Sequence, residues 1–175
     1  MSAEGTFNMA FVLDQTKPNQ KYFEAICGIP HPSTEEKAVS DYVCSVAEKL
    51  GLDYEQDKFW NVIVRKPASK GYEDTPVVML EGHMDMVCVK TPESTHDFSH
   101  DPIEIYVDDK GDIRAKDTTL GADDGYGVAY MLAVMEEDFP PPAAGARLYG
   151  AGGKRLQRRG RAGRGQAEIQ KNDRS

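Results

Sequence analysis

Three observations predict an α/β fold for this chain. They are an amphipathic helix pattern over Ala38–Leu50, two β-rich runs at Asn61–Arg65 and Pro76–Glu81, and a small-residue helix over about Gly125–Glu137. Taken in order, a short helix around Gln20–Cys27 comes first and stops at Gly28-Ile29-Pro30. Ser33 followed three residues later by Glu36 has the spacing of a capping box for the next helix. In that helix Ala38, Val39, Tyr42, Val43, Val46, Ala47 and Leu50 recur at three- and four-residue steps, and Gly51 supplies the left-handed stop. The run Pro76–Glu81 is continuously apolar, which predicts a strand buried on both faces. Ile103–Val107 and Asp112–Ala115 flank Asp108-Asp109-Lys110-Gly111 and read as a hairpin. The chain changes character at Pro140-Pro141-Pro142, after which no strand pattern is visible.

The 175 residues, 39% hydrophobic and 29% charged, are enough for one domain of ordinary size. A mean hydropathy of −0.57 and the lack of a long apolar run exclude a membrane-spanning reading. The net charge of −8 is unevenly placed: residues 1–142 hold 12 basic and 27 acidic side chains, a net −15, and residues 143–175 hold 9 and 2, a net +7. Such asymmetry raises the possibility of a nucleic-acid-binding tail. The amino terminus lacks the charged and apolar regions of a signal peptide, and Cys27, Cys44 and Cys88 are odd in number and widely spaced. Both features predict a cytoplasmic setting, with the thiols acting as small hydrophobes.

Two short motifs carry chemistry. In Gly82-His83-Met84-Asp85, the period of a strand puts His83 and Asp85 on one face at the carboxyl end of the run, the end at which α/β sheets place ligands. His83 suits a metal ligand with the Asp85 carboxylate behind it. The second motif, Gly121-Ala122-Asp123-Asp124-Gly125, opens a helix. Asp124 is accounted for by the helix dipole, whereas the glycines around Asp123 predict an unusual backbone that aims its carboxylate. His96 and His100, near Asp97 and Asp101, read as loop residues, His31 as a turn residue and Trp60 as core.

Together the motifs resemble those of a known family. Ile29-Pro30 through Ser33, Glu36-Lys37, Asp57, Asn61-Val62-Ile63 and Lys66-Pro67 belong to the match, as do Glu81 to Val87, His96-Asp97-Phe98, Asp101-Pro102-Ile103 and Thr118 to Gly125. Over residues 12–140 the chain resembles the aminoacyl-histidine dipeptidases, co-catalytic zinc peptidases related to aminoacylase and carboxypeptidase G. The resemblance implies the amino-terminal part of a catalytic domain built on a mixed sheet flanked by helices. It implies that His83 ligates one Zn2+, that Asp123 bridges two, with Mn2+ or Co2+ as alternative metals, and that the peptide after Asp123 is cis. Asp85 takes the catalytic role of orienting His83 through its other ring nitrogen. In such a site the metals polarise the scissile carbonyl of a small Xaa-His peptide and activate water, with a glutamate as general base. That base comes from a Glu-Glu pair at the end of the next strand. Family members also carry a lid-like domain that can mediate dimerisation, so a homodimer is implied for a full-length form.

The later family residues are not matched here. Glu136 and Glu137 close a helix and read as a solvated terminus. A reading shifted by one nucleotide within the Pro141 codon permits His-Pro-Pro-Leu-Glu-Pro-Val-Phe-Thr-Val-Gln-Glu-Glu, its glutamates arising within the Gly152 and Gly153 codons. The chain therefore divides into residues 1–140, the peptidase part, and 141–175, an out-of-frame Arg/Gly-rich tail expected to be disordered, the true protein continuing in the other frame. The coding DNA decides this: one base change must restore a long open frame. Taken at face value, Lys154 to Gly165 resembles RNA-binding Arg/Gly segments, but only Tyr149 offers a nearby aromatic and the acidic body opposes phosphate. No nucleic-acid or membrane partner is therefore expected. A third reading is a degraded, non-catalytic product of the locus.

Overall fold

A computed structural model describes residues 11–137 and 144–150. Its elements are α1 (Pro18–Cys27), α2 (Lys37–Lys49), β1 (Asp53–Gln56), β2 (Val62–Lys66), β3 (Val78–His83), β4 (Ile105–Val107), β5 (Ile113–Ala115), α3 (Ala122–Glu136) and β6 (Ala144–Tyr149). Four strands form a mixed sheet in the order β1-β2-β6-β3, and β4 pairs with β5 in a separate hairpin. Phe23 and Ile26 of α1, Val39 and Val43 of α2, Val62 and Val64 of β2, and Val128 and Leu132 of α3 are buried together. The α/β class and the helix-flanked mixed sheet are as predicted.

The helices follow their sequence signals closely. Pro18 sits in the first turn of α1, where its missing N–H costs nothing. At the end of α2, Gly51 takes φ +66 and donates to the Glu48 carbonyl at 3.0 Å, the left-handed stop that its lack of Cβ allows. The start of α2 differs from the expected capping box. The Ser33 hydroxyl donates to Asp85 Oδ2, and Glu36, 1% exposed, accepts the Thr34 N–H at 2.7 Å through Oε1. With φ +83 at Thr34, the chain turns before the helix begins and carries Ser33 away from the free N–H groups.

Lys21 of α1 places Nζ 2.8 Å from both carboxylate oxygens of Glu136, in the last turn of α3. Glu136 is thus tied to α1 rather than solvated, because α1 and α3 pack side by side. The Lys21 hydrogen bond holds the Glu136 carboxyl below the ordinary glutamate value, against the opposing effect of burial. A carboxyl depressed by folding stabilises the protein above its unfolded value, and that contribution is lost as pH falls through the folded value. Since both side chains are about one-third exposed, the pair belongs to the weak range. Lys21→Met is expected to cost about 0.5–1 kcal/mol at neutral pH. In urea titrations the difference from the unmodified chain should vanish in acid.

The strands show the larger departures. β1, Asp-Tyr-Glu-Gln, has no apolar alternation; it forms because it pairs antiparallel with β2, where Arg65 meets Asp53 at 3.3 Å and Glu55 at 2.7 Å. The amino-terminal half of the predicted doubly buried strand is open: Val77, Val78 and Met79 are 65%, 46% and 49% exposed. β3 is the edge of the sheet among the described residues, so its apolar character does not bring cover. Trp60 has φ +65 and is only half-buried, because it sits in the turn that Asp57 closes by accepting N–H bonds from Phe59 and Asn61.

Residues 144–149, expected to lie in a structureless tail, form β6 instead. β6 fills the slot between β2 and β3, antiparallel to the first and parallel to the second, with Val62 opposite Leu148 and His83 opposite Tyr149. The cause is main-chain pairing on both sides, which makes no demand on side-chain pattern, together with Leu148, fully buried in the core. Gly150 follows, its N–H on Asn61 Oδ1 at 3.2 Å. The rest of the expected tail, 151–175, lies outside the described residues.

Candidate active site

The two motifs meet at the carboxyl end of β3. His83, its last residue, stands between two carboxylates from different directions. Its Nδ1 lies 2.9 Å from the Asp85 carbonyl and 3.3 Å from Asp85 Oδ1, and its Nε2 lies 3.2 Å from Asp123 Oδ1. With two acceptors at Nδ1, the ring proton belongs there, and the Nε2 lone pair is directed at Asp123. The exposures differ sharply: the side chain of Asp85 is 3% exposed, that of His83 37% and that of Asp123 99%. One carboxylate is a buried support and the other an open donor.

The backbone that delivers Asp123 is irregular. Gly121 is left-handed at φ +74, Asp123 and Asp124 are non-helical within α3, and the Asp123–Asp124 peptide is cis, as the resemblance implied. Asp124 does more than complement a helix dipole. Its Oδ2 accepts the His83 N–H at 3.3 Å, and burial pushes its carboxyl up from the ordinary aspartate value. Space for it comes from two glycines. A Cβ on Gly82 would lie 2.4 Å from Asp124 Oδ2, and one on Gly127 would lie 2.0 Å from Oδ1. The pair Gly82 and Gly127 was the signal in the sequence, forty-five positions apart and legible only once α3 lies across β3.

The donor types suit a divalent cation. An imidazole lone pair and a carboxylate oxygen face each other at 3.2 Å, an arrangement that a shared cation makes favourable. The donor count falls short of a complete site: among the described residues no group of three or more His, Cys, Asp or Glu side chains converges as a metal site. His96 stacks edge-on against Phe98 at 4.6 Å, and His100 bonds Asp97 at 2.8 Å on the surface, so both serve their loop. His31, expected in an open turn, is 3% exposed with Nδ1 2.5 Å from the Ile29 carbonyl, and burial lowers its pKa. Burial likewise pushes the Cys27 thiol up to about 12, fitting a packed hydrophobe.

No family model matches the chain. Over 128 residues, 72% of its length, it is 41% identical to the cytosol non-specific dipeptidase of Escherichia coli strain K12, covering 26% of that protein. The crystal structure of aminoacylhistidine dipeptidase from Vibrio alginolyticus matches with a TM-score of 0.72 and 40% identity, over 75% of this chain and 27% of the other. A tripeptidase structure from Staphylococcus aureus matches with a TM-score of 0.63 at 21% identity, over 82% and 38%, which shows the shared fold alone. The chain thus spans about a quarter of the length of the two dipeptidases. Both are peptidases, and no helix among the described residues is long and apolar enough to cross a membrane. By sequence and fold together, the stretch carrying His83, Asp85 and Asp123 belongs to the aminoacyl-histidine dipeptidase family.

Proposed function

We propose that this chain is the amino-terminal part of a zinc-dependent dipeptidase acting on small Xaa-His peptides, and that His83, Asp85 and Asp123 are its contribution to the metal site. The observation that carries the reading is the convergence of His83 Nε2 and Asp123 Oδ1 at 3.2 Å, with Asp85 behind the ring. His83 offers an unprotonated Nε2 because the proton is held at Nδ1. Asp123 offers a carboxylate that is open to solvent and so to a bridging role. Asp85 orients the imidazole without touching substrate. When bound, Zn2+ would polarise a scissile carbonyl and lower the pKa of a coordinated water.

The described residues supply two ligands, where catalytic zinc sites use three or more. Purified chain 1–175 is therefore expected to bind zinc more weakly than micromolar in calorimetry and to show no turnover of a His-containing dipeptide. Chelator-sensitive turnover by this chain would contradict that expectation.

The register of β6 supports an out-of-frame origin for the sequence from about Pro141. A strand parallel to β3 with Tyr149 opposite His83 leaves the sheet at the end that carries the site. In the shifted frame the same codons encode an apolar strand leading to Glu-Glu, carboxylates of the type the site lacks.

A further inference from the structure

The carboxylate behind His83 is itself held by a residue from another part of the chain. Asp85 Oδ1 faces His83 Nδ1 at 3.3 Å, and Oδ2 accepts the hydroxyl of Ser33, fifty-two positions earlier. Ser33 lies on the connection between α1 and α2, and that connection is fastened alongside the residues after β3. The Met86 N–H donates to the His31 carbonyl at 3.2 Å, and Pro32 bridges Met86 in parallel register. On its other side, Thr34 donates its N–H to the buried Glu36 carboxylate at 2.7 Å. The Ser33 hydroxyl thus reaches Asp85 from a backbone held at both ends.

We propose that Ser33 is a positioning residue of this site: its hydroxyl fixes the Asp85 carboxylate, which in turn fixes the His83 imidazole with its proton on Nδ1 and Nε2 open toward Asp123. The tautomer of a histidine is set by what its other nitrogen bonds, and a hydrogen bond to a carboxylate is among the stronger neutral-to-charged contacts. Without the hydroxyl, Asp85 is free to turn about its terminal bond, and the plane that Oδ1 presents to Nδ1 is no longer fixed. Outer partners of this kind typically govern ligand affinity by 10- to 100-fold.

The test uses the full chain, stripped of metal with chelator and labelled with 15N-histidine, at one pH above the imidazole range. Ser33 is exposed and outside any helix or strand, so Ser33→Ala removes a hydroxyl without opening a cavity. The unmodified chain and Ser33→Thr, which keeps a hydroxyl, should show His83 protonated at Nδ1. Ser33→Ala should show a mixture of tautomers with unchanged circular dichroism. Ser40→Ala, which removes a hydroxyl bonded to the Trp60 carbonyl, should leave His83 as it is. A folded Ser33→Ala that keeps the Nδ1 proton, or a Ser33→Thr that loses it, overturns the proposal. Zinc titration of the same proteins should show affinity about tenfold weaker for Ser33→Ala. This second readout rests on His83 being a metal ligand. If the tautomer moves while zinc affinity does not, the positioning role stands and the metal-ligand reading falls.

Discussion

Gly82→Ala is expected to dismantle the site while leaving the helices folded, at a cost of about 1–3 kcal/mol in chemical denaturation, the usual range for forcing atoms into a packed interior. The new Cβ would lie 2.4 Å from Asp124 Oδ2 and 2.4 Å from Met131 Cε. Met131 can swing its terminal methyl aside. Asp124 cannot retreat, because Gly127 lies on its far side in equally close approach and its Oδ2 holds the His83 N–H. The carboxylate must leave its seat, and Asp123, one residue away, moves with it. The His83 and Asp123 resonances should therefore shift together. Gly51→Ala is the contrast: φ is +66 there but nothing lies within 4 Å of the added methyl. Its cost should be only that of a left-handed alanine, about 1–2 kcal/mol, with His83 undisturbed.

The second large effect concerns His83 in a complete enzyme. Exchanging the matching 128-residue stretch of the Escherichia coli dipeptidase for that of this chain places His83, Asp85 and Asp123 in a whole protein whose other parts are intact. His83→Ala in that chimera should lower kcat/KM by more than about a hundredfold, since loss of a ligand must exceed the 10- to 100-fold effect of losing an outer partner. Circular dichroism should not change, because His83 is one-third exposed and packs no core.

Much of the fold and part of the site can be read from residue spacing. The heptad-like recurrence in α2 and the glycine after it specify that helix locally, and His83 with Asp85 falls on one face simply because strands alternate. What escapes is whatever depends on contacts distant in sequence. β1 is polar and exists through its pairing with β2. The apolar run of β3 has the composition of a central strand but occupies an edge. β6 has no strand pattern and is held by neighbours on both sides. Ser33 has the spacing of a cap, yet its hydroxyl goes to a residue fifty-two positions on. Asp124 fits a helix terminus, but the two glycines that shape its seat meet only when α3 crosses β3.

The measurement that bears most directly on the account is hydrolysis of a His-containing dipeptide by the chimeric dipeptidase carrying this chain's 128 residues. The account predicts turnover that chelator abolishes, that added zinc restores and that His83→Ala removes. A folded chimera with no turnover, or one whose turnover survives His83→Ala, would contradict it.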